Sequence, residues 1–453
     1  MDQGTSLSRR HLLAGAAAAG TAGALTQVPG LARATTPGDA SKTVKRPATT
    51  FFKEPALNFQ MLFALGGAGY GASEVGEVLS AFDRIHGKGD TLRSVFEEFH
   101  RLGRQVRDRG DRERAAGRKE SARLCYLRAA MYLDQALFYV LASKSPTRRH
   151  EGAVYSEMEA AFARAGALFS PRFEPVRIPY YGGKLPGWFL SPGPGRRPTV
   201  ILNNGSDAQN IDMYVYGGAA ALERGWNALI FEGPGQGSNL FLRSQIFTPD
   251  WGRVVTPVVD FLRAHPQVER RRISLVGQSF GGYLTARAAA SEHRLAGLVT
   301  DPGVHDCFST WSENLKSLLG LLNSGAKDEF NRIWNRDVVG RASEYERVGL
   351  AKRLEIYGNG DDAYEQLKLA QKFKLDKGTA RRISAPTAIL SPQLEQFFPG
   401  QPETMHRWIG RDRSTLLRFT VAEGGEYHCE PMAPQLRNER VFDWLETQTR
   451  PAG

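Results

Sequence analysis

From residue 55 to about 168, apolar side chains recur three and four positions apart with charged residues between them, the spacing of amphipathic helices. Val75 to Ile85, Thr91 to Leu102, Ser121 to Leu141 and Glu151 to Leu168 carry it most clearly, and Met158, Ala161 and Ala165 fall on one face of the last. Such faces must be buried, so these helices are expected to pack as a wall on the segment that follows. After Pro171 the period changes. Phe173 to Pro179 and Lys184 to Leu190 predict two antiparallel strands around Tyr181-Gly182-Gly183. Apolar, β-rich runs at Thr199 to Leu202, Asn227 to Phe231, Ile273 to Val276 and Leu295 to Val299 then alternate with helical stretches, which implies right-handed crossovers and a mostly parallel sheet.

From Cys307 to about Arg382 the strand rhythm stops, and Trp311 to Leu322, Glu329 to Trp334, Ser343 to Tyr357 and Ala363 to Phe373 predict helices. This is too much material for a strand connection. It reads as a cap whose aromatic and Leu side chains meet the site, with peripheral packing helices as the other reading. Thr387 to Leu390 and Leu416 to Thr420 restore the sheet, and Glu439 to Thr447 closes it with a helix. The expected fold class is therefore α/β. Residues 55–170 form an N-terminal helical domain, 171–306 and 384–450 the sheet-bearing core, and 307–383 the helical cap.

The amino terminus changes this picture by subtraction. Ser8-Arg9-Arg10-His11-Leu12-Leu13 precedes an Ala/Gly-rich run to Leu25, and Ala32-Arg33-Ala34 offers a small-x-small cleavage site. Residues 1–34 read as a twin-arginine-like export signal, which predicts a periplasmic or extracellular location; 35–54 read as a flexible leader. No later stretch has the length of a membrane span. The formal charge of +11 falls to +9 once Arg9, Arg10 and Arg33 leave together with Asp2. Arg alternates with Asp and Glu in 107–114, so a solvated surface is expected and nucleic acid is not. Cys125, Cys307 and Cys429 are too few and too far apart for a disulfide framework or a metal cluster, so neither metal nor cofactor is expected.

Candidate chemistry centres on Gly277-Gln278-Ser279-Phe280-Gly281-Gly282, which follows a strand and opens a helix. That is the setting of a nucleophile elbow, where the serine needs a strained turn and its neighbours no Cβ. A serine hydroxyl needs a base, and His428 follows the Leu416 to Thr420 strand in a loop near the end of the core; His305 and His406 are substitutes. The base needs an acid. Glu395 is the carboxylate of the loop after the preceding strand, with Asp301 as the other candidate. The order Ser279, Glu395, His428 is that of an α/β-hydrolase triad. Donors for a developing oxyanion are expected from the Phe280 backbone N–H and, in the loop Asn203-Asn204-Gly205-Ser206-Asp207, from that of Ser206. The run Phe231-Glu232-Gly233-Pro234-Gly235-Gln236-Gly237 lacks the spacing of a phosphate or dinucleotide loop and reads as a tight turn beside the site.

Together, Asn204-Gly205-Ser206-Asp207, the Phe231–Gly237 run, the Ser279 motif, Glu395-Gln396-Phe397-Phe398-Pro399-Gly400 and Glu423-Gly424-Gly425-Glu426-Tyr427-His428-Cys429 resemble the α/β-hydrolases related to 2,6-dihydroxypseudooxynicotine hydrolase and the fermentation-respiration switch esterases. The resemblance covers about 55 to 448. It departs at Glu232 and Glu395, where Asp is more usual, and at Ser391-Pro392, where His-Gly is customary. It implies an amino-terminal helical domain over a hydrolase core, a small-molecule substrate and a homodimer. The wider group includes carbon–carbon hydrolases, for which Asp301, Asp306 and Glu232 are auxiliary candidates. Carboxyl-ester or lactone hydrolysis is the leading expectation. Carbon–carbon cleavage of an activated ketone, amide or peptide hydrolysis, and a noncatalytic binding protein are the alternatives. Tyr132, Phe138 and Tyr139 in one wall and Trp311 and Trp334 in the other are the candidate pocket aromatics.

Overall fold

The computed structural model describes residues 50–449 apart from 145, 182, 313, 314 and 359. The export-signal reading of 1–34 thus lies outside the described residues. The leader expected to be flexible is anchored at its described end: the Phe51 and Phe52 amides donate to Asn58 Oδ1 at 2.7 and 3.1 Å, and the buried Phe52 ring meets Phe82 edge-on.

The N-terminal helices are α1 (Pro55–Gly66), α2 (Val75–His86), α3 (Leu92–Ala115), α4 (Lys119–Phe138) and α5 (Arg148–Gly166). Pro55 opens α1 at a position where its missing N–H costs nothing. Thr91 and Thr147 cap α3 and α5, their hydroxyls accepting from the Ser94 and His150 amides. α3 continues well past Leu102, through the Arg/Asp-rich stretch. The reason is its two faces: Val106 and Gly110 are buried, while Arg109 pairs with Glu77 and Arg107 with Asp108 on the outside.

The core contributes β1 (Glu174–Tyr180), β2 (Gly183–Leu190), β3 (Arg197–Asn203), β4 (Asn227–Phe231), β5 (Val268–Gln278), β6 (Gly297–Asp301), β7 (Thr387–Pro392) and β8 (Ser414–Phe419). They form one sheet in the order β1-β2-β4-β3-β5-β6-β7-β8. β1, β2 and β4 pair antiparallel in turn, and every later pairing is parallel. β4, β6 and β7 are buried at every position, as strands covered on both faces must be. Register aligns the strand ends: Asn203 lies opposite Gly277, and Gln278 opposite Asp301. The loops after β3, β5, β6, β7 and β8 therefore leave one edge of the sheet together, where open α/β sheets bind ligands.

The core helices are α6 (210–223, kinked), α7 (Gly252–Ala264) and α8 (Phe280–Ala289). The cap has α9 (Leu319–Ser324), α10 (Lys327–Ile333), α11 (Glu344–Glu355) and α12 (Ala363–Ala370). The single helix expected over Trp311 to Leu322 is instead a short turn at Ser309–Ser312 and a separate α9. α13 (Gln401–Ile409) joins β7 to β8, and α14 (Pro434–Gln448) closes the chain. α1 reaches over the sheet edge, where Phe59 meets Phe397 and Tyr427 and Phe63 meets Tyr216. Among the described residues, no helix is long and apolar enough to cross a membrane.

Candidate active site

Ser279 stands between β5 and α8 with φ 59° and ψ −126°, a conformation a side chain rarely adopts. Tight neighbours impose it. A Cβ on Gly277 would lie 2.2 Å from the Gly281 carbonyl oxygen, and the Ser279 amide donates to the Asp301 carbonyl at 2.6 Å. The turn lifts the hydroxyl off the strand, toward the loops that follow β7 and β8.

Those loops deliver the partners. His428 Nε2 lies 2.9 Å from Ser279 Oγ, and His428 Nδ1 lies 2.9 Å from both carboxylate oxygens of Glu395. An ionised carboxylate only accepts, so Nδ1 carries the proton and Nε2 presents its lone pair to the serine hydroxyl. Glu395 is itself fixed, since its Oε1 accepts from the Phe397 and Phe398 amides at 2.9 and 3.0 Å. Gln396 Oε1 accepts from the His428 amide at 3.0 Å, tying the two loops together. The rings of Phe397 and Phe398 stand 4.7 and 5.8 Å from the imidazole, which is buried with its acid. The extra methylene of Glu, relative to Asp, is thus accommodated by a turn that wraps the carboxylate.

The loop after β3 approaches from the other side. A Cβ on Gly205 would lie 2.8 Å from both the Gln278 oxygen and Ser279 Cβ, and 3.0 Å from the Phe280 nitrogen, so only glycine fits. Gln236 Nε2 donates to the Asn204 and Gly205 carbonyls at 2.8 and 3.2 Å, while its Oε1 accepts from the Gly233 amide at 2.9 Å. Because a trans peptide sets C=O and N–H on opposite sides, holding the Gly205 carbonyl aims the Ser206 N–H away from Gln236. Ser206, Ser279 and Phe280 line the same cavity. Gln236 carries no catalytic signal of its own in the sequence. The Pro-Gly-Gln-Gly turn that carries it reads there as a structural element only.

The cavity has a volume of about 230 Å³ and is lined by both helical regions. α1 supplies Phe59, Gln60 and Phe63, the end of α4 supplies Asp134, Phe138 and Tyr139, and α11 supplies Tyr345, Lys352 and Arg353. Trp311 and Tyr357 complete the cap side, and Cys429 lines it beside His428. Among its polar lining groups, Asp134, Asp212 and Lys352 are buried. Burial, and then the charge of Asp212, hold the Asp134 carboxyl well above the usual range, and burial pushes Asp212 up to about 6. Burial lowers the Arg353 guanidinium, which lies over the Phe397 ring. Neither Asp134 nor Arg353 carries a local sequence signal, because cavity walls are set by packing.

Several candidates are placed elsewhere. Tyr132 faces α2, where its hydroxyl donates to Glu77 Oε2 and accepts from the Glu74 amide, both at 2.9 Å. Trp334 stacks on Phe330 inside the cap. Asp301 does not meet the imidazole; its Oδ2 accepts from Arg437 Nε at 2.9 Å in a fully buried ion pair. Asp306 caps the Phe308 and Ser309 amides and pairs with Lys374 at 3.0 Å. Glu232 is buried behind the turn, accepting from Tyr155, Ser238 and Asn210. His305 lies against Trp408, and His406 bonds Ser414. None of these seven side chains lines the cavity, so the auxiliary readings of Asp301, Asp306 and Glu232 and the pocket readings of Tyr132 and Trp334 are corrected.

Comparison with known proteins agrees with this fold. The Alpha/beta hydrolase family profile matches residues 185–444. Hydrolase LUC6 of Fusarium sp is 29% identical over 421 residues, covering 87% of this chain and 97% of the relative. Hydrolyase poxO of Penicillium oxalicum is 30% identical over 418 residues, covering 87% and 98%. The 20-hydroxy-prefusarin hydrolase FUS2 of Gibberella moniliformis is 26% identical over 423 residues, covering 87% and 97%. Among solved structures, 2,6-dihydroxy-pseudo-oxynicotine hydrolase superposes with a TM-score of 0.62 at 20% identity, over 85% of this chain and 95% of the other. That likeness extends the shared fold beyond the core to the amino-terminal helices. The matched profile spans more than half of the chain, and with the sheet order and the elbow it shows that the chain belongs to the alpha/beta hydrolase family.

Proposed function

We propose that this protein is a serine hydrolase that cleaves a carboxyl ester or lactone in a medium-sized, largely apolar substrate. The observation that carries the reading is the unbroken chain from Ser279 Oγ through His428 Nε2 and Nδ1 to Glu395, inside a covered cavity. In the mechanism, His428 takes the Ser279 proton as Oγ attacks the substrate carbonyl carbon. The Phe280 and Ser206 backbone N–H groups stabilise the tetrahedral oxyanion, and Glu395 stabilises the imidazolium. Collapse breaks the bond to the leaving oxygen, which takes the proton from His428. Water then gives a proton to His428 and attacks the acyl-serine; collapse breaks the acyl–Oγ bond, Oγ takes that proton back from His428, and the acid leaves free Ser279.

An ester leaves with less assistance than an amide or a carbanion, so the triad alone is sufficient for it. Phe138, Tyr139 and Trp311 on the cavity wall favour an aromatic or conjugated acyl or alcohol part. The names of the hydroxy-prefusarin and pseudo-oxynicotine hydrolases are in keeping with hydrolysis of small organic molecules. The test is turnover of aryl esters, lactones, anilides and activated diketones by the mature chain and by Ser279→Ala. Ester or lactone turnover that vanishes in the variant supports the reading. Turnover of diketones alone moves the assignment to carbon–carbon hydrolysis, and activity unchanged in the variant removes Ser279 from the mechanism. Export through residues 1–34 is proposed on the sequence alone, and amino-terminal sequencing of secreted protein tests it.

A further inference from the structure

Beneath the Ser279–His428 pair lies a cluster that the proposed chemistry does not use. Glu430 follows His428 by two residues, has φ 46° and is 0% exposed, and both of its carboxyl oxygens are sealed from solvent without a hydrogen-bond partner if the group is ionised. Asp301 ends β6, also 0% exposed. Its Oδ2 is satisfied by Arg437 Nε, and its Oδ1 has no partner. The two carboxyl groups are within hydrogen-bonding range of each other. Two ionised carboxylates cannot share a hydrogen bond, because neither has a donor. One proton removes the conflict: a neutral carboxylic acid donates to the Asp301 oxygen and leaves a single buried negative charge, which Arg437 balances.

We propose that Glu430 acts as a positioning residue, a neutral carboxylic acid whose O–H donates to Asp301 Oδ1 and so fixes the His428 loop to the strand end that holds the nucleophile. The connections around the pair give this bond its reach. The Asp301 carbonyl accepts from the Ser279 amide at 2.6 Å and from Cys429 Sγ at 3.6 Å. Arg437 Nη1 donates to the Tyr216 carbonyl at 2.7 Å, and Tyr216 lines the cavity from α6, the helix that follows the oxyanion loop. The pair therefore joins the nucleophile, the base loop and α6. Burial, followed by the charge of Asp301, holds the Glu430 carboxyl well above the usual range, in keeping with a proton retained at neutral pH. The ionisable groups facing the pair are Arg437 from α14, Tyr216 from α6, Glu395 from the loop after β7, and His428 and Cys429 from its own loop.

The proposal rests on the Ser279 and His428 assignments, and the experiment keeps the two apart. Glu430→Gln retains a donor of the same shape that cannot ionise, whereas Glu430→Leu removes it. Labelling of the full chain by a fluorophosphonate measures elbow reactivity without a known substrate, and Ser279→Ala is its control. Glu430→Gln is expected to label within about threefold of the parent, and Glu430→Leu at least tenfold more slowly while still folded by circular dichroism. Infrared difference spectra at pH 7 give a readout independent of labelling: the parent shows a protonated-carboxyl C=O band that Glu430→Gln lacks. Equal labelling of the parent and the folded Leu variant, or no loss of that band in the Gln variant, overturns the proposal. Labelling that persists in Ser279→Ala instead overturns the nucleophile assignment, while the infrared result still decides the state of Glu430.

Discussion

The floor and the roof of the cavity are built by different means. The floor is a set of strand ends whose loops are fixed by backbone hydrogen bonds: Ser279 N to the Asp301 carbonyl, the Phe397 and Phe398 amides to Glu395, and the Asn204 and Gly205 carbonyls from Gln236. The roof is helix faces. Phe59 and Phe63 of α1 and Phe138 of α4 reach the cavity through ring packing. A hydrogen-bonded floor tolerates little displacement, because reacting atoms must meet within fractions of an ångström. A packed roof can change residue by residue while the chemistry below it is preserved. Rate should therefore be governed from the floor and selectivity from the roof.

The sharpest break is at the floor. His428→Ala is expected to lower kcat by about a million-fold, and Glu395→Gln by about ten-thousand-fold, since the amide can no longer hold the Nδ1–H tautomer. Steady-state kinetics on the ester identified by the substrate panel checks both, and a loss confined to KM would contradict the roles given. Gln236→Ala comes next. It frees two carbonyls of the oxyanion loop and the Gly233 amide, and should cut kcat by about 10- to 100-fold with KM within about threefold. A change in KM alone would make Gln236 part of substrate binding instead.

The roof should respond the other way. Phe138→Ala is expected to raise KM about tenfold and change kcat less than threefold, and to shift the ranking of aryl against alkyl esters. Trp334→Ala is its control, because the ring stacks on Phe330 away from the cavity. It should cost roughly 3 kcal/mol in a denaturant titration and leave KM where it was. If both variants move KM alike, the distinction between wall and cap interior is lost.

The same contrast explains what could be read from the sequence. Ser279, Glu395 and His428 stood out because an elbow, an acid loop and a base loop each need particular residues at particular points of an alternating strand pattern, and the structure brings the three into hydrogen-bonding distance. The sheet was legible because its buried strands are short apolar runs between helices. The roof was not. Tyr132 and Phe138 belong to one helix, six residues apart, and helical geometry turns one toward Glu77 and the other toward the cavity. Sequence periodicity shows that a helix has an apolar face, not which neighbour each part of it meets. Asp301 failed for a related reason: a carboxylate at a strand end looks available until a distant Arg437, on the last helix, claims it. Long-range pairings of that kind leave no local trace.

The smallest effect concerns the seam where the two roof elements meet. Glu151 of α5 is 1% exposed, and Arg148 Nη1 reaches both Glu151 Oε2 at 3.3 Å and Glu355 Oε2 of α11 at 2.8 Å, with Lys352 completing the group at 2.8 Å from Glu355. Burial, followed by the charge of Glu355, pushes the Glu151 carboxyl up to about 7, against an ordinary value of 4.5, while Lys352 and Arg148 pull it back. In that interval the folded state holds a proton that the unfolded chain has released. The contribution of Glu151 to stability is therefore full below about pH 4.5 and is lost as the pH rises through about 7. Glu151→Gln cannot ionise, so its stability should fall less over the same interval, by on the order of 1–3 kcal/mol, with activity changed less than twofold. Urea titrations of both proteins at several pH values from 4.5 to 8 measure it. Other buried acids such as Glu159 titrate in both proteins and cancel in the difference. Parallel curves would mean that Glu151 ionises in the seam at no cost.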